Sequence, residues 1–196
     1  MRLADDLIAI SHGNSAVRLR PSLRAAVRLH AQYGLPELSE LIAPGDNLGA
    51  VIDIILEATD PETGARLVNA INAAGMQHLH RYREPLTDYM FALLAIDRSK
   101  AKGQAKTSDT ANVQQTIEEF HQSLFEIGTG WLGWSPADTW AASPREILVA
   151  QRGLVAKLKA VNGVVDETPK YDSTAEVTPE QVKTGLATLR ELSGAA

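Results

Sequence analysis

Two serine–proline pairs, eight residues apart, constrain this chain more than any other feature. In Ser135-Pro136-Ala137-Asp138 and again in Ser143-Pro144-Arg145-Glu146, a hydroxyl stands where a helix N-cap would. Proline follows at the first helical position and an acid sits at the third. The serine side chain can accept the third residue's backbone N–H, and a glutamate there can reach back to the cap, so the second pair is a full capping box. Proline lacks an N–H and is tolerated only in a helix's first turn. Each pair therefore opens a new helix, and the one from Pro136 has room for roughly two turns. Thr178-Pro179-Glu180-Gln181 repeats the box a third time. A chain punctuated in this way folds as many short helices.

The hydrophobic spacing agrees. Val113, Ile117, Phe120, Leu124 and Ile127 fall at alternating intervals of four and three, a narrow apolar seam along one helix. The helix opened at Pro144 carries Ile147, Leu148, Leu154, Val155 and Leu158 and stops near Asn162-Gly163. Residues 163–177 read as loop, and Val182, Leu186 and Leu189 stripe a last short helix. In the N-terminal half, Ser15–Arg20 alternates Val17 and Leu19 with Arg18 and Arg20, as a short extended element does. Pro21 is placed to be the first residue of a helix whose Leu23, Ala26, Val27, His30 and Ala31 share a face, ended by Gly34 and Pro36. A short helix follows over 36–42. The run 47–59 is apolar around most of its circumference, which makes it the central helix. Asp60 caps the next helix, with Leu67, Val68, Ile71 and Ala74 as its stripe, and 76–97 reads as one more helical stretch, interrupted or kinked at Pro85. The expected fold class is all-α, with a short N-terminal extended segment.

Charge suggests the domain plan. Residues 1–97 carry 8 basic and 12 acidic side chains, 98–112 carry 4 and 1, and 113–196 carry 7 and 11. The middle stretch, RSKAKGQAKTSDTAN, offers only alanine to bury and cannot offset its ordering entropy. It reads as a basic linker, or alternatively as a frayed helix end, since Ala and Lys are good helix formers. The expected organisation is an N-terminal helical unit (1–97), a linker (98–112) and a C-terminal helical unit (113–196) with a Trp-rich turn. The chain has no cysteine, which removes disulfides, thiol nucleophiles and cysteine-ligated metals. No run approaches the ~18 apolar residues of a membrane span. Asp5 and Asp6 spoil any signal-peptide layout at the N-terminus. A net charge of −5 argues against a surface that coats nucleic acid.

Few motifs carry chemistry. Gly128-Thr-Gly130-Trp-Leu-Gly133 matches G-x-G-x-x-G, but it follows a helical seam instead of a strand, and no acid stands about 20 residues on. Gly128 and Gly130 read instead as helix breakers, and Gly133 as an allowance for close packing beside Trp134. Glu118 and His121 have the Glu-x-x-His spacing of di-iron bundles, but those sites need a second copy and two further glutamates. His121 therefore reads as a solvated helix flank. His78 and His80, two apart, would point to nearly opposite faces of a helix, so with Arg81 and Arg83 they form a basic helix end. Ser99 and Lys102 lie in the linker, where nothing desolvates the lysine. No catalytic, cofactor or metal site is expected. The aromatic residues differ: Trp131, Trp134 and Trp140 lie within ten residues, near Phe125 and Leu132. They form either a small core or a partly exposed anchor, since Trp is enriched at interface hot spots.

The segment 125–153, FEIGTGWLGWSPADTWAASPREILVAQRG, resembles small tail assembly chaperones of long-tailed bacteriophages and gene transfer agents. Leu132-Gly133-Trp134-Ser135-Pro136 matches their Gly-containing turn, Trp140 their second aromatic, and Ser143-Pro144-Arg145-Glu146-Ile147 their helix start. Thr139 stands where Phe is usual. The stretch 17–42 is similar to a second tail chaperone family, with His30 or a neighbour where Glu is usual. The resemblance implies a phage or prophage assembly factor in the bacterial host cytoplasm, without enzymatic activity. It would bind the tape measure protein, recruit major tail tube subunits and be absent from the finished tail. Self-association is left open, and neither nucleic acid nor membrane is an expected partner. The residues implied in partner contact are Trp131, Trp134, Trp140, Phe125 and Leu132. The alternative is a small helical DNA-binding or regulatory protein using Arg145, Arg152, Lys157 and Lys159, although these fall on several helix faces.

Overall fold

The computed structural model describes residues 8–13, 15–96 and 110–163. The chain divides into two compact units, residues 1–158 and 159–196, and only 159–163 of the second are described. The third capping box at Thr178, the loop after Gly163, the last helix, and the linker over 98–109 with Ser99 and Lys102 lie outside the described residues.

The first unit opens with an antiparallel hairpin of β1 (Ile8–His12) and β2 (Ser15–Leu19). Ile8 pairs with Leu19 and Ile10 with Val17, so these four side chains share one face, where Ile10, Val17 and Leu19 are buried. Gly13, at φ +56°, supplies the left-handed residue of the tight loop. β2 was expected and β1 was not. Its signal was present in the alternation of Ile8 and Ile10 with Ala9 and Ser11, followed by Gly-Asn.

Helices α1 (Leu23–Tyr33), α2 (Leu35–Ile42), α3 (Leu48–Ala58) and α4 (Pro61–Ala74) follow. Ser22, not the residue before Pro21, caps α1, its hydroxyl accepting the Ala25 N–H at 3.1 Å. Proline at N1 was the wrong reading because a better N-cap stands one residue later. Asn47 and Asp60 cap α3 and α4 in the same way. The helical stretch expected over 76–97 is interrupted two residues before Pro85, a 3₁₀ segment, Met76–Tyr82, giving way to α5 (Arg83–Leu93). Pro85 therefore lies in the first turn of α5, where its missing N–H costs nothing. One core cluster spans the hairpin and α1–α5, with Leu19, Leu29, Leu38, Ile54, Ile55, Leu67 and Tyr89 fully buried.

Beyond residue 109 come α6 (Thr110–Glu126), a π-helical turn (Ile127–Trp131), α7 (Pro136–Ala141) and α8 (Pro144–Val161). Both serine–proline starts behave as expected. The Ser135 hydroxyl accepts the Asp138 N–H at 3.1 Å. Ser143 and Glu146 close the reciprocal box, at 2.7 Å from the Ser143 N–H to Oε2 and 3.2 Å from the Glu146 N–H to Oγ.

The division at 98–112 does not describe how the molecule is built, because α6 and α7 lie in the same compact unit as the hairpin and α1–α5. The reason is burial. The seam of Phe120, Leu124 and Ile127 is too narrow to make a core alone. It closes on Leu23 of α1, which is fully buried and clusters with the buried Leu124, Ala142 and Ile147. Burying one such leucine contributes about 1.5–3 kcal/mol. The Leu23 N–H donates to the Ala142 carbonyl at 2.8 Å, so the C-cap residue of α7 satisfies an orphan donor of α1. Ile117 of α6 packs against the first cluster. The fold is mostly α, eight α-helices and one two-stranded sheet among the described residues. No described helix is long and apolar enough to cross a membrane.

Candidate functional site

The Trp-rich turn is built by a widening of the α6 backbone. At Ile127 the ladder changes from i→i+4 to a π pattern, with the Leu132 N–H donating to the Ile127 carbonyl at 2.9 Å. The reason is local packing. Gly128 is buried, and a Cβ there would lie 2.4 Å from Cγ2 of Thr139. Only glycine lets the turn approach α7 this closely. Thr139 is itself fully buried, its hydroxyl donating to the Ser135 carbonyl at 3.0 Å. The glycine roles expected above are therefore exchanged. Gly128 permits the close contact, while Gly133, at φ +68° with open space around it, makes the turn into the Ser135 cap.

The five expected contact residues separate into two groups. Phe125, Leu132, Trp134 and Trp140 are half-buried and pack on the cluster around Leu23. The Phe125 and Trp140 rings pack with centroids 4.5 Å apart and planes tilted by 31°, a contact that adds about 0.5–1.5 kcal/mol to their burial. Their role is first to hold the turn together. Trp131 differs, at 68% exposed. A π turn holds about one more residue than an α turn, and this shift takes Trp131 out of the register of the buried seam.

An open groove of about 720 Å³ lies beside Trp131, lined also by Glu126, Thr129, Gly130, Leu154 and Leu158. The two leucines are four apart on α8, one above the other on the same face. Only Pro144 and Ile147 of α8 are buried, so the apolar stripe read from the sequence as a core face continues into solvent, with Val155 and Leu158 exposed. Sequence reasoning missed Leu154 and Leu158 as site residues. Their spacing signals an apolar face but cannot say whether the chain covers it. Of the four basic residues in the DNA-binding alternative, Arg152 and Lys157 are exposed and Arg145 and Lys159 half-buried.

The histidines form no metal centre, since among the described residues no group of three or more His, Cys, Asp or Glu side chains could hold an ion. His78 and His80 are exposed in the 3₁₀ segment. His12 Nδ1 lies 2.5 Å from the Tyr82 hydroxyl. His121 contradicts the solvated reading. It is 2% exposed, with Nε2 at 3.3 Å from the Leu93 carbonyl and its ring edge-on to His30 at 6.1 Å. Burial pushes its pKa down to about 4, the Leu93 carbonyl opposes this, and His30 adds to it. His30 accepts the Leu35 N–H at Nδ1.

Comparison with models of protein families, with characterised proteins and with solved structures finds no match to this chain.

Proposed function

We propose that this protein is a phage or prophage tail assembly chaperone that acts by binding. Its client is an apolar helical segment of the tape measure protein, and it delivers that client to major tail tube subunits in the host cytoplasm without becoming part of the tail. The observation that carries the reading is the exposed Trp131 at the wall of a groove floored by Leu154 and Leu158. Trp is the residue type that most often anchors an interface, and leucines at i and i+4 offer the ridge that a helix lays its apolar side chains against. The resemblance of 125–153 to small tail chaperones runs through this same turn. The acidic net charge of −5 suits a factor that keeps an apolar client dissolved.

The test is co-expression with the tape measure and tail tube proteins encoded in the same gene cluster. The native chain is expected to hold the tape measure protein in the soluble fraction and to co-purify with it. Trp131→Ala should lose most of that yield while keeping its own circular dichroism and melting temperature. Absence of any complex with either protein, or a complex indifferent to Trp131→Ala, would overturn the proposal.

A further inference from the structure

A second cavity, of about 490 Å³, opens between the outward face of β2, the start of α1, the α3–α4 corner and α7. Arg18, Arg20 and Arg24 line one side of it, and Ala58, Trp140 and Ala141 supply apolar wall. The fold itself gives these cations little to do. Opposite Arg18 on the hairpin stands Ala9, and the next outward pair is Ala16 with Ser11, so this face of the sheet brings no carboxylate to the arginines. Arg24 occupies the first turn of α1, where the helix dipole disfavours a cation and no acid compensates. Among the described residues neither Arg18 nor Arg24 forms an ion pair, while Arg20 reaches Glu146 at 3.5 Å. The two carboxylates in the cavity wall are already engaged. Glu57 takes the Arg28 guanidinium at 3.3 Å, and Asp60 caps α4 by accepting the Thr63 N–H at 2.9 Å.

Unpaired guanidinium forks beside an apolar wall match carboxylates carried on aliphatic stems, because arginine binds a carboxylate bidentately and the wall covers methylenes. We infer that this cavity is a docking site for a glutamate-rich acidic segment of a partner protein, held by Arg18 and Arg24 with Trp140 against the side-chain stems. A nucleic acid would need a continuous basic track, whereas the three arginines here line one side of a single cavity. The site shares no lining residue with the Trp131 groove and does not rest on the function proposed above.

The test is NMR titration of the full chain with the peptide acetyl-Leu-Glu-Glu-Leu-amide. The Trp140 indole and the Arg18 and Arg24 Nε–H signals are expected to shift saturably, with a dissociation constant below about 1 mM. The double variant Arg18→Glu/Arg24→Glu should weaken binding at least tenfold, roughly the loss of 1.4 kcal/mol. If that variant loses its fold by circular dichroism, Arg18→Gln/Arg24→Gln provides the same comparison. The Gln-Gln version of the peptide should give no shift, and inorganic phosphate at equal concentration should not displace the acidic peptide. No saturable shift, an equal response to the Gln-Gln peptide, or binding that survives loss of the two arginine charges would overturn the inference. Displacement by phosphate would overturn it in favour of a phosphate site.

Discussion

His121 shows how far one buried side chain departs from its sequence context. Flanked by Glu118, Glu119 and Gln122, it reads as part of a wet helix flank, yet α6 turns it onto the Leu93 carbonyl and the His30 ring. Its Nδ1 is buried without a hydrogen-bond partner. Protonation would place a charge there with no acceptor facing it, so burial lowers the pKa from an ordinary 6.5 to about 4. The unfolded chain therefore binds this proton more readily than the folded one between those two values. The contribution of neutral His121 to stability is complete above pH 6.5 and is lost as pH falls towards 4, by about 3 kcal/mol in total. Urea midpoints measured across that range should fall steeply for the native chain, and the His121-dependent part of the fall should disappear in His121→Leu. Equal slopes for the two proteins would show that His121 is not held neutral by the fold.

At the scale of elements, helix starts were the most legible part of the sequence, because caps are local. Asp60, Ser135 and Ser143 each accept a backbone N–H three residues on, as their sequence contexts require. The π turn was not legible. It depends on Gly128 meeting Thr139, two residues brought together by the turn between them, and helical spacing gives no hint of that contact. Gly128→Ala would drive a methyl to 2.4 Å from Thr139 Cγ2, on a fully buried β-branched side chain with no room to withdraw. Such overpacking costs about 1–3 kcal/mol. Thr139→Ala removes the clashing atoms and leaves only the Cβ contact at 3.2 Å. The Gly128→Ala/Thr139→Ala double variant should accordingly be less destabilised than the sum of the singles in a denaturation cycle. Simple additivity would mean that the two residues do not share a contact. The candidate site was legible only in part: Trp131 was named from the clustering of the three tryptophans, whereas Leu154 and Leu158 needed the observation that the α8 stripe reaches solvent at Val155 and Leu158.

At the scale of the whole molecule, charge blocks suggested two helical units divided at 98–112, while packing joins both sides of that stretch around Leu23. Charge segregates along a chain without regard to which apolar faces meet, and the Leu23 contact is set by tertiary fit alone. Circular dichroism reports all helices, and tryptophan fluorescence reports only residues 131–140, so the two should trace one coincident urea transition. Leu23→Ala should shift both by the same amount, about 2–5 kcal/mol. Separate transitions would restore the two-module organisation. The proposed client site is the groove beside exposed Trp131, lined by Leu154 and Leu158 of α8. Hydrogen exchange of the full chain, with and without an apolar helical segment of the tape measure protein, tests it most directly. Added protection is expected over 127–131 and 154–158, abolished by Trp131→Ala at unchanged thermal stability. Protection confined to other residues, or unaltered by that substitution, would contradict it.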